Sequence, residues 1–522
     1  MHKIAIYDTT LRDGCQAEGV AFSVEDKLRI ARRLDQIGVA YIEGGWPNQT
    51  SPRDREFFQR AADMQWQTAT ITAFGSTCRA KTAPEDDRQL RDLIAAKTST
   101  ITIFGKSWTF HATDVLRVSL DENLRMIEDT IAYIKQQCEE VIFDAEHFFD
   151  GYRADAEYAL ETLRAAARAG ADALVLCDTN GGSLPDDIRQ MVATVKAEFD
   201  TPLGIHCHDD AGLAVANSLA ALQAGCSQVQ GTINGYGERT GNANLCVVIP
   251  NLELKLGMQC LPEGKLADLT ELSRFTSEMA NLPPDNRQPY VGMSAFAHKG
   301  GMHVNAVLKE PRSFEHIEPE TVGNERRILV SDASGSSTIV HKLREIWPDL
   351  RRDDPLVREM LDRVKHLEKD GYEFEAAEAS FELLAKRLKE GLTPPFNLHG
   401  YRVTIHKADE NSEPYSEATV KVGVGDRDVH TAGEGTGPVN ALDNALRKAL
   451  TELFPKLGDL SLTDYKVRVL RADEGTAAAV RVLVETTNGE ESWGTVGVHE
   501  NIIEASWQAI IDSLVYGLIN GD

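Results

Sequence analysis

The stretch LGIHCHDD, residues 203–210, combines a short apolar run, typical of a buried β-strand, with polar side chains at its carboxyl end. Similar runs alternate with amphipathic stretches through the first 260 residues, which is the pattern of repeated βα units and a parallel sheet. Eight units predict an α/β fold with a (β/α)8 TIM barrel rather than an open doubly wound sheet, and no GxGxxG follows the first strand. The predicted strands begin at Lys3, Val39, Thr68, Thr98, Val141, Ala173, Leu203 and Gln228.

Two breaks divide the rest of the chain. The segment NLPPDNRQ, from residue 281, has the composition of a linker, and GLTPPFN, from residue 391, is a second break. We therefore expect a catalytic barrel over residues 1–280, a linker with mainly helical subdomains over 281–390, and a C-terminal α+β domain over 391–522.

The C-terminal domain contains a weak internal repeat. TAGEGTGPVNALDNALRKAL resembles SWGTVGVHENIIEASWQAIIDSL, and the alignment pairs Gly437 with Gly497 and Ala445 with Ala505 at a spacing of 60 residues. Two such βα modules are expected to pack as a pseudo-symmetric pair. Because the domain holds no obvious acid, base or metal cluster, we interpret it as a binding or regulatory module, with structural dimerisation as the alternative.

Composition and charge narrow the class of protein. The chain has 522 residues, of which 42% are hydrophobic, and its 81 acidic against 55 basic residues give a formal charge of −26. That sign disfavours a general binder of nucleic acid or of an anionic membrane. No run approaches the roughly 20 apolar residues of a membrane span, and the N-terminus lacks signal-peptide features, so we expect a soluble, cytoplasmic protein. The eight cysteines form no CxxC pair, which favours reduced thiols.

A pair of histidines carries the strongest chemical signal. His206 and His208 are two residues apart on the seventh strand, so both project from one face near the carboxyl end, where barrel enzymes have their active sites. The alternative for either residue is a structural core histidine. Asp13 after the first strand and Asn242 after the eighth offer further oxygen ligands. We predict a divalent metal site, and the pattern does not distinguish Zn, Mn, Mg and Co.

Other polar residues follow the predicted strands. Arg12 has a guanidinium group suited to a carboxylate, so beside a metal it can clamp a 2-oxo acid. Glu43, also at the mouth, is a candidate for binding the substrate or can instead orient Arg12, while Thr179 can hydrogen-bond a substrate carboxylate. Glu146 is our candidate for the general base, and Asp144 is the alternative.

Four motifs together identify a family resemblance. DTTLRDG, GIHCHDDAGLAVANS, GYGERTGNANL and AFAHKGGMH occur in this order, and the chain resembles the family of 2-isopropylmalate, homocitrate and citramalate synthases along nearly its whole length. The resemblance implies an acyltransferase that deprotonates acetyl-CoA, adds the enolate to the ketone of a 2-oxo acid, and hydrolyses the thioester. Pyruvate is the favoured acceptor, which would give (R)-citramalate and CoA on a route to isoleucine; 2-oxoisovalerate and 2-oxoglutarate are the alternatives.

The resemblance also assigns roles to matching positions. Asp13, His206, His208 and Asn242 would bind the metal, Arg12 and Thr179 would hold the 2-oxo acid, and Glu146 would be the base. His303, in the fourth motif, would reach into the catalytic site of a partner chain, so a homodimer is expected. The C-terminal domain would bind an end-product amino acid, isoleucine being favoured over leucine.

Two functions of other classes remain as alternatives. Related barrel lyases and aldolases share the Asp/His/His metal set, so cleavage of a carbon–carbon bond is one of them. The other is an amino-acid-binding protein whose barrel has lost its activity.

Overall fold

A computed structural model describes residues 3–470, 475 and 477–520. The chain divides into two units, the first comprising residues 1–296 and 317–325 and the second comprising 297–316 and 326–522. The first unit contains a closed barrel of eight strands, all of whose pairings are parallel.

The barrel strands occur in sequence order around the barrel, and β8 closes it against β1. All eight begin within two residues of the predicted positions, so the predicted barrel is confirmed. The strands are β1 (Ala5–Asp8), β2 (Tyr41–Gly45), β3 (Thr70–Ser76), β4 (Thr100–Lys106), β5 (Glu140–Glu146), β6 (Ala173–Asp178), β7 (Leu203–Cys207) and β8 (Gln228–Gly231).

Ten α-helices belong to the described part of the first unit. The first helix shows how the sequence sets both ends of a helix. Ser23 and Asp26 form a reciprocal capping box at its start, and Gly38 ends it with φ of 96°, a left-handed conformation that favours glycine. The helices are α1 (Val24–Ile37), α2 (Pro52–Ala62), α3 (Arg88–Ile94), α4 (Leu120–Ile134), α5 (Phe148–Ala154), α6 (Ala156–Arg168), α7 (Pro185–Glu198), α8 (Ala214–Gln223), α9 (Leu245–Asn251) and α10 (Leu269–Met279).

The barrel interior contains a buried polar layer. Aliphatic side chains fill the space between strands and helices, as the continuous apolar core of the unit shows. Inside the barrel, in contrast, the fully buried side chains of Tyr7, Glu43, Thr102 and Gln230 come from four different strands. The carboxyl ends of all the parallel strands lie at one face of the barrel. The buried polar layer therefore lies directly beneath the loops at that face, where we predicted the active site.

The second unit begins with short elements and three amphipathic helices. Two-residue strands β9 and β10 pair in parallel, and α13 and α14 bury apolar side chains in a small core with α12. The elements are β9 (Ala297–His298), α11 (Gly301–Val307), β10 (Arg327–Ile328), α12 (Ser336–Ile346), α13 (Pro355–Lys369) and α14 (Glu378–Glu390).

Two similar modules follow, each an antiparallel three-stranded sheet with a helix after it. They form a shared apolar core, in agreement with the predicted pair of modules. The first module comprises β11 (Asn397–His406), β12 (Tyr415–Val424), β13 (Arg427–Gly435) and α15 (Pro438–Leu450), and the second comprises β14 (Ser461–Val469), β15 (Val480–Thr487), β16 (Ser492–His499) and α16 (Ile502–Asn520).

The predicted spacing of the repeat was wrong by four residues. The Thr431 hydroxyl donates to the carbonyl of Ala445, and the Thr495 hydroxyl donates to the carbonyl of Ala509, both at 2.7 Å, so equivalent positions are 64 residues apart. Gly497 on β16 therefore corresponds to a strand glycine and not to Gly437, which directly precedes α15. The sequence alignment paired a helix cap with a strand position because both are glycines.

Helix α14 is joined closely to the second module. Val496 N donates to the Ser380 hydroxyl at 3.0 Å, and Arg387 Nη2 donates to Asp512 at 2.5 Å. A Cβ atom on Gly494 would lie 1.9 Å from the carbonyl oxygen of Ala376, a separation that no side chain can occupy. The segment before residue 391 is thus in direct contact with β16 and α16.

Helix α16 is the one helix of the described residues that is long and apolar enough to cross a membrane. Half of its apolar window is buried, and it packs against β15 and β16. Such burial is typical of the core helix of a globular domain.

Candidate active site

Three predicted metal ligands converge at the carboxyl ends of β1 and β7. The Nε2 atoms of His206 and His208 are 3.3 Å apart, and Asp13 Oδ2 is 3.7 Å from the first and 3.9 Å from the second. All three side chains are buried. They form the one group of three or more His, Cys, Asp and Glu ligands that is close enough to hold a metal ion among the described residues.

The fourth predicted ligand, Asn242, lies beside them. Its Nδ2 donates to Asp13 Oδ1 at 3.0 Å, and its buried Oδ1 has no hydrogen-bond partner in the part of the chain that the structure describes. A buried amide oxygen without a donor is unfavourable unless something else satisfies it. One carboxylate, two imidazoles and an unpaired amide oxygen are a donor set that fits a divalent cation.

The protonation states of the two histidines and of Asp13 also favour a metal site. Burial, followed by the neighbouring His208, lowers the pKa of His206 to about 3, and burial also lowers the pKa of His208. Burial alone would raise the pKa of Asp13, but the charge of Arg12, together with the hydrogen bond from Asn242, holds it well below its usual range. The site therefore presents two neutral imidazoles and one carboxylate, the forms that bind metals.

Arg12 lies next to the cluster in a buried ion-pair network. Its Nε donates to Glu43 Oε2 at 2.5 Å and its Nη1 donates to Asp13 Oδ2 at 3.0 Å. The Tyr7 hydroxyl donates to the other oxygen of Glu43 at 2.8 Å. The guanidinium carbon is 3.8 Å from the ring centre of Phe74, which gives a cation–π contact. These contacts, among them the one to the fully buried Glu43, hold the guanidinium group in one orientation.

A cavity of about 240 Å³ opens above these side chains. One wall is aromatic: the rings of Phe74 and Phe104 stack at 5.2 Å, and Trp46 packs edge-on against both. Fourteen residues line the cavity, namely Arg12, Asp13, Gln16, Trp46, Phe74, Phe104, Asp144, Glu146, Cys177, Thr179, His206, His208, Glu238 and Arg239.

The two candidate bases differ in their surroundings. Glu146 forms an ion pair with Lys106, its neighbour in the register of β4 and β5, and keeps part of its side chain exposed in the cavity. Asp144 is buried, and its Oδ1 accepts a hydrogen bond from Gln230 Nε2 at 3.0 Å. Burial, followed by the charge of Glu43, raises the pKa of Asp144 to about 8. Burial therefore favours the protonated form of Asp144 at neutral pH.

Thr179 also lies on the cavity. Its Oγ1 accepts a hydrogen bond from the backbone N–H of His147 at 2.9 Å, so its own hydroxyl proton can be donated elsewhere. Arg239 Nη2 donates to the Thr179 carbonyl at 2.7 Å and the same guanidinium group pairs with Asp210, which ties the loop after β6 to the loops after β7 and β8.

His303 belongs to the second unit. It is exposed on α11, and its ring stacks on that of Phe314 with centres 4.2 Å apart. The expected contact of His303 with the catalytic site of a partner chain stays a prediction.

Several side chains that organise the site were not singled out in the sequence. They are Tyr7, Gln230, Lys106 and the aromatic wall. The sequence does contain a signal for Gln230, because a polar side chain on a short, fully buried strand needs a hydrogen-bond partner inside the barrel.

The comparisons with known proteins cover the whole chain. The HMGL-like family model matches residues 3–276, the homocitrate synthase post-HMGL domain-like model matches 290–371, and the LeuA allosteric (dimerisation) domain matches 375–518. The chain is 55% identical over 521 residues to an (R)-citramalate synthase of Aquifex aeolicus, which covers 100% of this chain and 98% of that protein.

Two further relatives extend the comparison. An (R)-citramalate synthase of Geobacter sulfurreducens is 53% identical over 99% of this chain and 98% of its own, and a 2-isopropylmalate synthase of Methanocaldococcus jannaschii is 30% identical over 98% and 94%. These matches confirm the resemblance predicted from the four motifs. The chain belongs to the HMGL-like family, within its group of 2-isopropylmalate, homocitrate and citramalate synthases.

Proposed function

We propose that this chain condenses acetyl-CoA with pyruvate and hydrolyses the thioester, which gives (R)-citramalate and CoA. The full-length similarity to (R)-citramalate synthases supports the reaction class and the acceptor. The observation that carries the proposal is the juxtaposition of the Asp13, His206 and His208 cluster with Arg12 at one cavity. A metal site and a carboxylate clamp side by side are what a 2-oxo acid requires, since its keto and carboxylate groups are adjacent.

Each polar residue of the cavity has a separate role in the proposed reaction. Asp13, His206, His208 and Asn242 would hold a divalent cation, which supplies Lewis-acid polarisation of the keto oxygen when bound. Arg12, already oriented by Glu43, binds the substrate carboxylate. The Thr179 hydroxyl donates a second hydrogen bond to that carboxylate. Glu146 removes a proton from the methyl carbon of acetyl-CoA, while Lys106 keeps its carboxylate in position.

The first prediction separates the two candidate bases. Glu146→Gln is expected to lower kcat by about 10²–10⁴-fold, the usual contribution of a general base. Asp144→Asn should lower it by less than about tenfold, because the protonated acid cannot act as a base and the amide still offers an oxygen to Gln230. The measurement is CoA release together with exchange of deuterium into the acetyl-CoA methyl group. Faster exchange in Glu146→Gln than in Asp144→Asn would reverse the assignment.

The second prediction concerns the 2-oxo acid. The aromatic wall beside Arg12 and the small cavity leave room for a short side chain. We expect pyruvate to exceed 2-oxoisovalerate in kcat/KM by about 100-fold or more, since each excess methyl group in a rigid pocket costs roughly 10-fold or more. CoA release measured with a thiol reagent across a panel of 2-oxo acids tests this. A preference for a branched or dicarboxylic acid would assign the chain to another synthase, and cleavage of a hydroxyacyl-CoA without synthesis would indicate a lyase.

We further propose that the chain acts in the cytoplasm as a homodimer, with His303 completing the partner's site, and that isoleucine is its effector. The match of residues 375–518 to an allosteric (dimerisation) domain supports the regulatory part of this proposal.

The third prediction tests the effector. Isoleucine is expected to raise the KM for pyruvate about 5-fold or more, a typical allosteric coupling, whereas leucine and valine at equal concentration should act more weakly. Initial rates of CoA release on the full chain provide the measurement. Stronger inhibition by leucine would overturn the choice of isoleucine.

A further inference from the structure

Gln230 joins a predicted metal ligand to a buried acid. It is fully buried on β8, in register with His206 on β7. Its Oε1 lies 2.9 Å from His206 Nδ1, and its Nε2 donates to Asp144 Oδ1 at 3.0 Å. The primary amide thus uses both of its ends inside the barrel, where no bulk water can replace either bond.

The two hydrogen bonds determine how the amide group of Gln230 is oriented. Gln230 Nε2 donates to Asp144 Oδ1, an oxygen that can accept while the acid proton resides on Oδ2, and the amide oxygen then faces the imidazole of His206. An oxygen can only accept there, which requires that His206 carries its proton on Nδ1. A neutral ring with Nδ1–H has its lone pair on Nε2, the atom that faces His208 and Asp13.

We propose that Gln230 is a positioning residue that selects the Nδ1–H tautomer of His206 and thereby sets the affinity of the site for a divalent cation. The inference rests on the metal site of the proposed function. Partners of this kind, placed behind a ligating histidine, typically change metal affinity by about 10–100-fold.

His208 provides an internal contrast. Its Nδ1 is buried, yet among the described residues that atom has no hydrogen-bond partner, so no side chain there holds the ring at Nδ1. Of the two imidazoles, His206 is therefore the one that a side chain outside the cluster holds at Nδ1 within the described residues.

The chain offers a matched control for the test. Gln228 lies two residues earlier on the same strand, is also buried, and its Oε1 accepts no hydrogen bond in the described part of the chain. Gln230→Met and Gln228→Met make the same nearly isosteric change on the same face of β8, and only the first removes a bond to His206.

The experiment measures metal affinity of the full-length apo protein by competition with a chromophoric chelator, using Co²⁺ and Zn²⁺. We expect Gln230→Met to weaken binding by about 10–100-fold and to alter the visible spectrum of the Co²⁺ form, with Gln228→Met within about threefold of wild type. Equal affinities for both variants and wild type would overturn the proposal, provided that His208→Ala loses the metal. Undiminished binding in His208→Ala would instead contradict the metal site itself.

A measurement on the wild-type chain does not depend on the folding of a variant. Long-range ¹H–¹⁵N correlation spectra of histidine-labelled apo protein distinguish the two neutral tautomers. An Nδ1-protonated His206 supports the proposal, and an Nε2-protonated His206 overturns it.

Discussion

His208→Ala is expected to lower kcat by roughly 1,000-fold and to release the bound metal. Loss of one of three clustered ligands removes the Lewis acid, whose contribution of several kcal/mol corresponds to a factor of this size. The substitution is informative because His208 Nδ1 makes no hydrogen bond within the described chain, so little else is lost with the ring. Steady-state rates and metal content per chain, measured on the same preparation, give the result.

His430→Ala is a suitable control, because this histidine is exposed on β13 in the other unit. It should keep both rate and metal content. Near-normal turnover of His208→Ala with metal still bound would show that the cluster is not the catalytic centre.

Arg12→Lys is expected to lower kcat/KM for the 2-oxo acid by about 1,000-fold. Arg12 serves two carboxylates at once, and an ammonium group cannot reproduce the planar arrangement that bonds Glu43 and Asp13 while facing a third carboxylate. Leaving a buried acid such as Glu43 without its partner costs about 3–5 kcal/mol, so the melting temperature should also fall. The KM for acetyl-CoA should change little, which distinguishes a lost carboxylate clamp from general damage.

Glu43→Gln completes the comparison. It keeps the guanidinium group and removes only the charge that orients it, so a smaller loss of kcat/KM is expected. Because Arg12 and Glu43 are in direct contact, the double variant should lose less than the sum of the two free energies. Strict additivity would show that Glu43 does not act through Arg12.

The barrel could be predicted because each strand carries its own signal. Parallel strands that are covered on both faces are apolar along their length, and the period-2 alternation puts His206 and His208 on one side without any knowledge of the rest. Asp13 could be predicted only in combination with them, because its own segment is equally consistent with a surface ion pair.

The contacts that were missed depend on register between strands. Gln230 meets His206, and Lys106 meets Glu146, because neighbouring strands align these residues, and a single sequence does not encode that alignment locally. The error in the internal repeat has a similar origin. Gly497 lies within a strand, whereas Gly437 directly precedes a helix. An alignment that matches residue types alone cannot distinguish these two roles of glycine.

The contact between Gly494 and Ala376 bears on how regulatory properties could be exchanged between related synthases. A hybrid cut at residue 391 would combine α14 from one parent with β16 from another, and any side chain at position 494 of the donor would collide with the recipient's backbone. A crossover before residue 371 takes both sides of this contact from the same parent. It also keeps Gly371, whose carbonyl accepts a hydrogen bond from Arg481 Nε at 2.6 Å. A hybrid joined at the loop after α14 should therefore fold only where the donor also has glycine at position 494, whereas a crossover before residue 371 keeps both sides of this contact from one parent.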